Sequence, residues 1–249
     1  MRDSANLIAT RNGVDRVRRW LVAHYDAKAQ GLSMAGKLGA MGYATTVMLL
    51  LTVLAVIRLR GPLDVDIVAG SAVLVLVACG ILGRGALKGN TVGARDNASG
   101  LLAALTAAER STDPGVGILL TGAQQFGLVG SRLFARDHGP SLPGAEVINL
   151  DTIDDRGRLR IWYHNTTGLG LANQVASLLA AGSCAGHPRR MPRVTAVDSV
   201  PLSGAGAAAV TVTRFDRSTL RRVHTPGDDR AGIEFTTAQA VGGALAGPI

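Results

Sequence analysis

Gly117-Ile118-Leu119-Leu120-Thr121-Gly122-Ala123-Gln124-Gln125-Phe126-Gly127-Leu128-Val129-Gly130-Ser131-Arg132 is the stretch on which the reading of this chain turns. Gly117 to Thr121 has the short apolar pattern of a buried strand, and Leu128 to Arg136 has a helical one. Between them, at the strand's carboxyl end, stand two amides, Gln124 and Gln125. Open α/β sheets place their ligand sites at such ends.

The same arrangement recurs on either side. Trp20 to Ala23 reads as a strand and delivers His24-Tyr25-Asp26. Asp96-Asn97-Ala98-Ser99-Gly100 leads into an alanine- and leucine-rich helix, Leu101 to Glu109, whose polar start can cap free helix N–H groups. Glu146 to Asp151, E-V-I-N-L-D, is an apolar strand with a carboxylate at its end. Ala209 to Thr213 is another strand, followed by His224-Thr225-Pro226-Gly227-Asp228, an imidazole in a proline-stiffened loop. Asn6 to Thr10 reads as a further strand, and Phe235 to Leu245 closes the alternation that marks an α/β domain. Strand ends that deliver His and Asp supply the nitrogen and oxygen ligands that zinc accepts.

The order H-Y-D, D-N-A-S-G, G-L-x-G-S-R, N-L-D and H-T-P resembles the zinc aminopeptidases and glutaminyl cyclases of peptidase family M28, over nearly all of the chain outside residues 27–90. The resemblance implies a three-layer αβα domain with a mixed central sheet, a peptide substrate and up to two zinc ions. Asp96 would bridge the two metals, His24 and Asp151 would complete one position, and His224 with Gln125 would complete the other. Gln124 stands where the family has its general base, and both Gln124 and Gln125 replace glutamates. Asp26 is expected to orient the His24 ring, because metal-bound imidazoles need a partner on the far nitrogen.

An amide cannot take a proton from the attacking water at neutral pH. General base catalysis contributes on the order of a hundred- to ten-thousand-fold, so its loss is severe. A neutral amide oxygen is also a poorer zinc ligand than a carboxylate, yet His24, Asp96 and Asp151 remain a sound set for one metal. Asp154, Asp155 and Asp228 lie near these motifs, but their spacing places none of them over the metal. Ser199, in Val197-Asp198-Ser199-Val200-Pro201-Leu202, stands where the family often carries histidine, which alters the expected substrate contacts. The first strand pattern follows Met1 closely, so the helices that usually open such domains are expected to be missing or to lie upstream.

Residues 27–90 change the composition abruptly. Leu38 to Ile57 is a charge-free run of about 20 residues and Ile67 to Gly83 one of about 17, the first long enough to span a bilayer and the second at the lower limit. The expected organisation is a peptidase-like domain of residues 1–30 and 88–249, with a two-pass transmembrane hairpin inserted at 38–83. Gly70, Ser71, Ala72, Ala78 and Gly80 allow close helix packing in lipid. Lys28, Lys37, Arg84 and Lys88 flank the hairpin on the domain side, while the short connecting loop has only Arg58 and Arg60. Positive residues favour the cytoplasmic side, which places the globular domain there. Met1 to Asp15 lacks the apolar core of a secretory signal.

The rest of the composition narrows the function classes. Cys79 and Cys184 imply no disulfide framework. His138, His164 and His187 match none of the motifs and read as surface or turn residues. The net charge of +8 comes mainly from scattered arginines, without aromatic interleaving, helix-turn-helix pattern or zinc-finger spacing. Nucleic-acid binding is therefore not expected, and an anionic membrane surface is the better partner for this charge. Two functions remain open: a membrane-anchored aminopeptidase-like hydrolase of weak activity, or a catalytically inactive pseudopeptidase that binds or regulates a partner.

Overall fold

The computed structural model describes residues 4–14, 16–87, 90–192 and 195–247. Lys88, one of the orienting charges, and Met1 and Asp15, the ends of the polar opening stretch, lie outside the described residues.

Seven strands form one mixed sheet: β1 (Leu7–Ala9), β2 (Arg19–His24), β3 (Val116–Thr121), β4 (Glu146–Ile153), β5 (Arg158–Tyr163), β6 (His187–Arg190) and β7 (Ala208–Phe215). Their order is β1-β3-β2-β4-β7-β5-β6, with β3, β2, β4 and β7 parallel at the centre. β1 pairs antiparallel to β3 on one side, and β5 antiparallel to β7 on the other.

Strand residues alternate between two buried faces, which is why the central strands read as continuous apolar runs. Leu21, Ala23, Ile148, Leu150, Val210 and Val212 pack under α3 (Ser99–Arg110), α5 (Thr166–Ala181) and α8 (Thr236–Leu245). Trp20, Val22, Val147 and Ala209 pack on the other face against Phe134 of α4 (Val129–Asp137) and Leu202 of α6 (Ser199–Gly204). The period of two carries this second face upward to His24, Asn149 and Asp151. The result is the helix–sheet–helix layering expected from the sequence.

β4 runs past Asp151 to Ile153, because the strand bulges there. Its register against β7 shifts between Leu150 and Ile153, and Thr152 takes a left-handed φ of 53°. Bulges re-aim side chains at sheet rims, and this one sits directly behind Asp151.

α1 (Met34–Arg58) and α2 (Val65–Gly83) follow β2 and pack on each other, each slightly longer than its charge-free run. Both are long and apolar enough to cross a membrane, by length and composition, and only 11% and 6% of their most apolar windows are buried. The two legs of this insertion meet at one corner: Gln30 pairs with Leu87, and the Gly31 N–H donates to the Ala86 carbonyl at 3.3 Å. α7 (Arg217–Arg222) packs against α1 at the same corner. There Gln30 N–H donates to the His224 carbonyl at 2.8 Å and Met34 N–H to the Val223 carbonyl at 3.2 Å.

Candidate metal centre

His24 is the last residue of β2 and is fully buried. Its Nδ1 lies 2.9 Å from the Asp26 main-chain carbonyl, which can only accept, so Nδ1 carries a proton and Nε2 is the nitrogen turned toward the cluster. That Nε2 has no hydrogen-bond partner; Asp96 Oδ1 lies 3.0 Å away and Asp151 Oδ1 3.9 Å away. Ligand atoms of His24, Asp96 and Asp151 lie within 4.8 Å of one another. A buried imidazole nitrogen between two carboxylates is a place for a cation, and one imidazole with two carboxylates fits zinc.

Asp26 meets the His24 ring through its main-chain carbonyl rather than its carboxylate. Its carboxylate stands 3.7 Å from His24 Nδ1, and instead its two oxygens accept the N–H groups of Gln124 and Gln125, each at 2.9 Å. The ring is therefore held by the Asp26 carbonyl, while the carboxylate fixes the amide-bearing turn to the end of β2. Ala123, which opens that turn, has a φ of 53°.

On the far side of Asp96, Oδ2 accepts from Gln125 Nε2 at 2.8 Å and lies 2.9 Å from His224 Nε2. His224 is itself left-handed, at a φ of 66°, and its Nδ1 is buried without a partner. Gln124, next to Gln125 in sequence, is buried and held through its main chain. Lys28, expected only as a charge flanking the hairpin, donates to the Gln125 carbonyl at 2.9 Å, and burial pushes its ammonium below the ordinary lysine range.

Charge in the cluster is strongly redistributed. Burial alone would lower the His24 pKa, but Asp96 and, more weakly, Asp151 and Asp198 raise it to about 10. Asp96 is held well below the usual carboxylate range by His224 and His24, against the opposing effect of burial. Burial pushes Asp151 up to about 6.

The loop that carries Asp96 is set by residues the ligand pattern does not reveal. Asp228 accepts Arg95 N–H at 2.9 Å and Asp96 N–H at 3.0 Å through its two oxygens. Arg95 is buried and donates to Asp154 at 3.2 Å, and Asp154 also accepts from Thr219 at 2.6 Å. Asp155 caps α8, accepting Thr237 N–H at 2.9 Å. None of these three carboxylates stands over the cluster as a substitute base. Asn97 joins strand ends: its amide donates to the Leu150 carbonyl at 2.9 Å, and its oxygen accepts Gly100 N–H at 3.2 Å and Thr152 N–H at 3.0 Å. A Cβ on Gly100 would collide with the Leu150 carbonyl oxygen and the Asn97 amide, which explains the glycine that ends D-N-A-S-G.

Beneath the cluster, Thr121 donates to buried Asp198 at 2.7 Å. Ser199 is fully buried, 2.8 Å from His164 Nε2 and 2.6 Å from Thr211 Oγ1, so its hydroxyl is spent inside the fold. His164 is accordingly half-buried and bonded, unlike the surface residue expected. His138 stacks on Phe134 and His187 is exposed at the start of β6.

The sheet and the cluster at its carboxyl edge define an α/β fold of the metallopeptidase kind. The chain belongs to peptidase family M28, whose sequence profile matches residues 80–247. No curated protein sequence matches the chain. Among solved structures, it is similar in fold to glutaminyl cyclase from Bacteroides thetaiotaomicron bound to N-acetylhistamine, with a TM-score of 0.60 at 15% identity over 97% of this chain and 75% of that one. A leucine aminopeptidase precursor from Bacteroides thetaiotaomicron gives a TM-score of 0.59 at 15% identity, over 97% and 74% of the two chains. BSAP, a zinc aminopeptidase from Bacillus subtilis, gives 0.57 at 14% identity, over 97% of this chain and 48% of that one. The chain thus spans about half the length of the Bacillus subtilis enzyme.

Proposed function

We propose that the protein is a membrane-anchored member of its family that holds one zinc ion at His24, Asp96 and Asp151, and binds peptides or peptide-like ligands with hydrolysis weak or lost. The observation that carries this reading is the Gln125 amide donating to Asp96 Oδ2 at 2.8 Å. With His224 on the same oxygen, the outer side of the bridging carboxylate is engaged by N–H donors, where a second cation would need it as a ligand.

Zinc held by His24, Asp96 and Asp151 would supply Lewis acidity. The chain supplies the rest: Asp26 fixes the His24 ring and the 124–125 turn, Asp228 fixes Asp96, and Lys28 places a positive charge against the turn. What is missing is a proton acceptor, because the Gln124 amide cannot serve as one and Asp154, Asp155 and Asp228 are committed elsewhere. α1 and α2 anchor the domain as a transmembrane pair, and the domain-side lysines and arginines favour a cytoplasmic domain.

Zinc per chain in the detergent-purified protein, by elemental mass spectrometry, tests the reading. About one zinc supports it. About two would require a ligand that replaces Gln125, and none would leave a metal-free binding module.

A further inference from the structure

The corner where α1 leaves the domain and α2 returns is basic. Lys37 lies in the first turn of α1, Arg84 caps α2, and Arg221 and Arg222 end α7, the helix packed on α1. Arg84, Arg221 and Arg222 are exposed, and among the described residues none of the four side chains has a carboxylate within ion-pair distance. Arg222 alone is partly tied down, donating to the Ala231 carbonyl at 3.0 Å. The opposite end of the helix pair is balanced, with Arg58 and Arg60 beside Asp64 and Asp66.

Two further observations fix what this collar faces. The bonds from Gln30 and Met34 to the 223–224 segment hold the start of α1 beside the end of α7, and the Gln30–Leu87 pairing with the Gly31–Ala86 bond brings the leg returning from α2 to the same corner, so the bases of two lipid-length helices and these cations share one level. At that level the returning leg exposes an apolar side chain, Leu87, at 59%. Cations beside an exposed aliphatic group, at the end of an apolar helix pair, are the chemistry of a headgroup layer.

We propose that Lys37, Arg84, Arg221 and Arg222 bind the anionic headgroups of phospholipids in the leaflet facing the domain, with Leu87 seated among the upper acyl carbons. This rests on the reading of α1 and α2 as membrane-spanning. The collar thereby seats the domain on the bilayer, and its cation cluster belongs to the membrane rather than to a peptide ligand.

The test uses the full chain in mixed micelles of phosphatidylglycerol and phosphatidylcholine, with native mass spectrometry counting the lipids retained. Wild type is expected to retain phosphatidylglycerol preferentially. The triple substitution Lys37→Gln, Arg84→Gln, Arg221→Gln should lose that preference by about fivefold per charge removed. The pair Arg58→Gln, Arg60→Gln should keep it. Equal retention of both lipids by wild type, or a triple variant that behaves as wild type, overturns the proposal; a urea unfolding curve on each variant separates this from misfolding. Carbonate washing of reconstituted vesicles tests the underlying reading separately. A chain that washes off refutes the span, whereas one that stays but shows no lipid preference refutes the collar alone.

Discussion

Gln125 Nε2 and Asp96 Oδ2 stand 2.8 Å apart, a hydrogen bond where two metal-binding carboxylates would repel unless a cation lay between them. The amide lets the outer half of the cluster close without a second metal. Elemental analysis should therefore give about one zinc per chain, and the double substitution His24→Ala, Asp96→Ala should abolish it.

Restoring both carboxylates should reopen the outer position. Gln124→Glu together with Gln125→Glu is expected to raise the zinc content toward two per chain. The same variant should increase hydrolysis of aminoacyl substrates by at least about a hundredfold, the contribution of a general base. An unchanged rate in a variant that does take up the second metal would show that the deficit lies elsewhere than in the missing base.

The pH dependence follows from His24 and Asp151. With its pKa raised to about 10 from 6.5, His24 contributes stability to the metal-free fold that is complete below about 6.5 and lost as pH rises through about 10. Melting temperatures of chelator-treated protein should fall across that window, and His24→Ala should flatten the profile. Zinc affinity should move the other way, rising with pH, because the metal must displace the His24 proton and, below about 6, the one on Asp151. Competition titrations with a chromogenic chelator read this directly.

Asn97→Ala removes a side chain that is 3% exposed and bonded to β4, to the bulge and to α3. At about 1 kcal/mol for each bond lost, the urea-extrapolated stability should drop by roughly 3 kcal/mol. Because the same bonds hold Asp96 and Asp151 in register, zinc retention should weaken as well.

How much of this was legible in the sequence depended on where each residue sits. The central strands announced themselves because both of their faces are buried, so Trp20 to Ala23 and Glu146 to Asp151 appear as apolar runs. β6, H-P-R-R, is an exposed edge strand with no aliphatic residue, and no hydrophobic pattern could mark it. β5, R-L-R-I-W-Y, alternates only from Arg158 to Ile161, and that short period went unmarked. The order of the His and Asp motifs brought the cluster residues into view through the family resemblance. Arg95 was invisible and Lys28 stood out only as a charge flanking the hairpin, since their roles at the cluster depend on partners distant in sequence: Arg95 meets Asp154 and Asp228, and Lys28 meets the Gln125 carbonyl. The exchange of roles within Asp26, carbonyl to the ring and carboxylate to the turn, is a matter of tenths of an ångström that no spacing rule encodes.

The pairing of Gln30 with Leu87 has a practical reach beyond the cluster. To the rest of the domain, everything between those two residues is a closed detour whose ends already touch, so a tight turn could take its place at little entropic cost. Such a graft would yield a water-soluble form for spectroscopy and crystallisation, provided that it preserves the bond from the Gln30 N–H to the His224 carbonyl and supplies a new donor for Val223. Without those two donors, the left-handed turn at His224 loses its outer support, and a fragment trimmed for convenience would report on a loosened pocket rather than the native one.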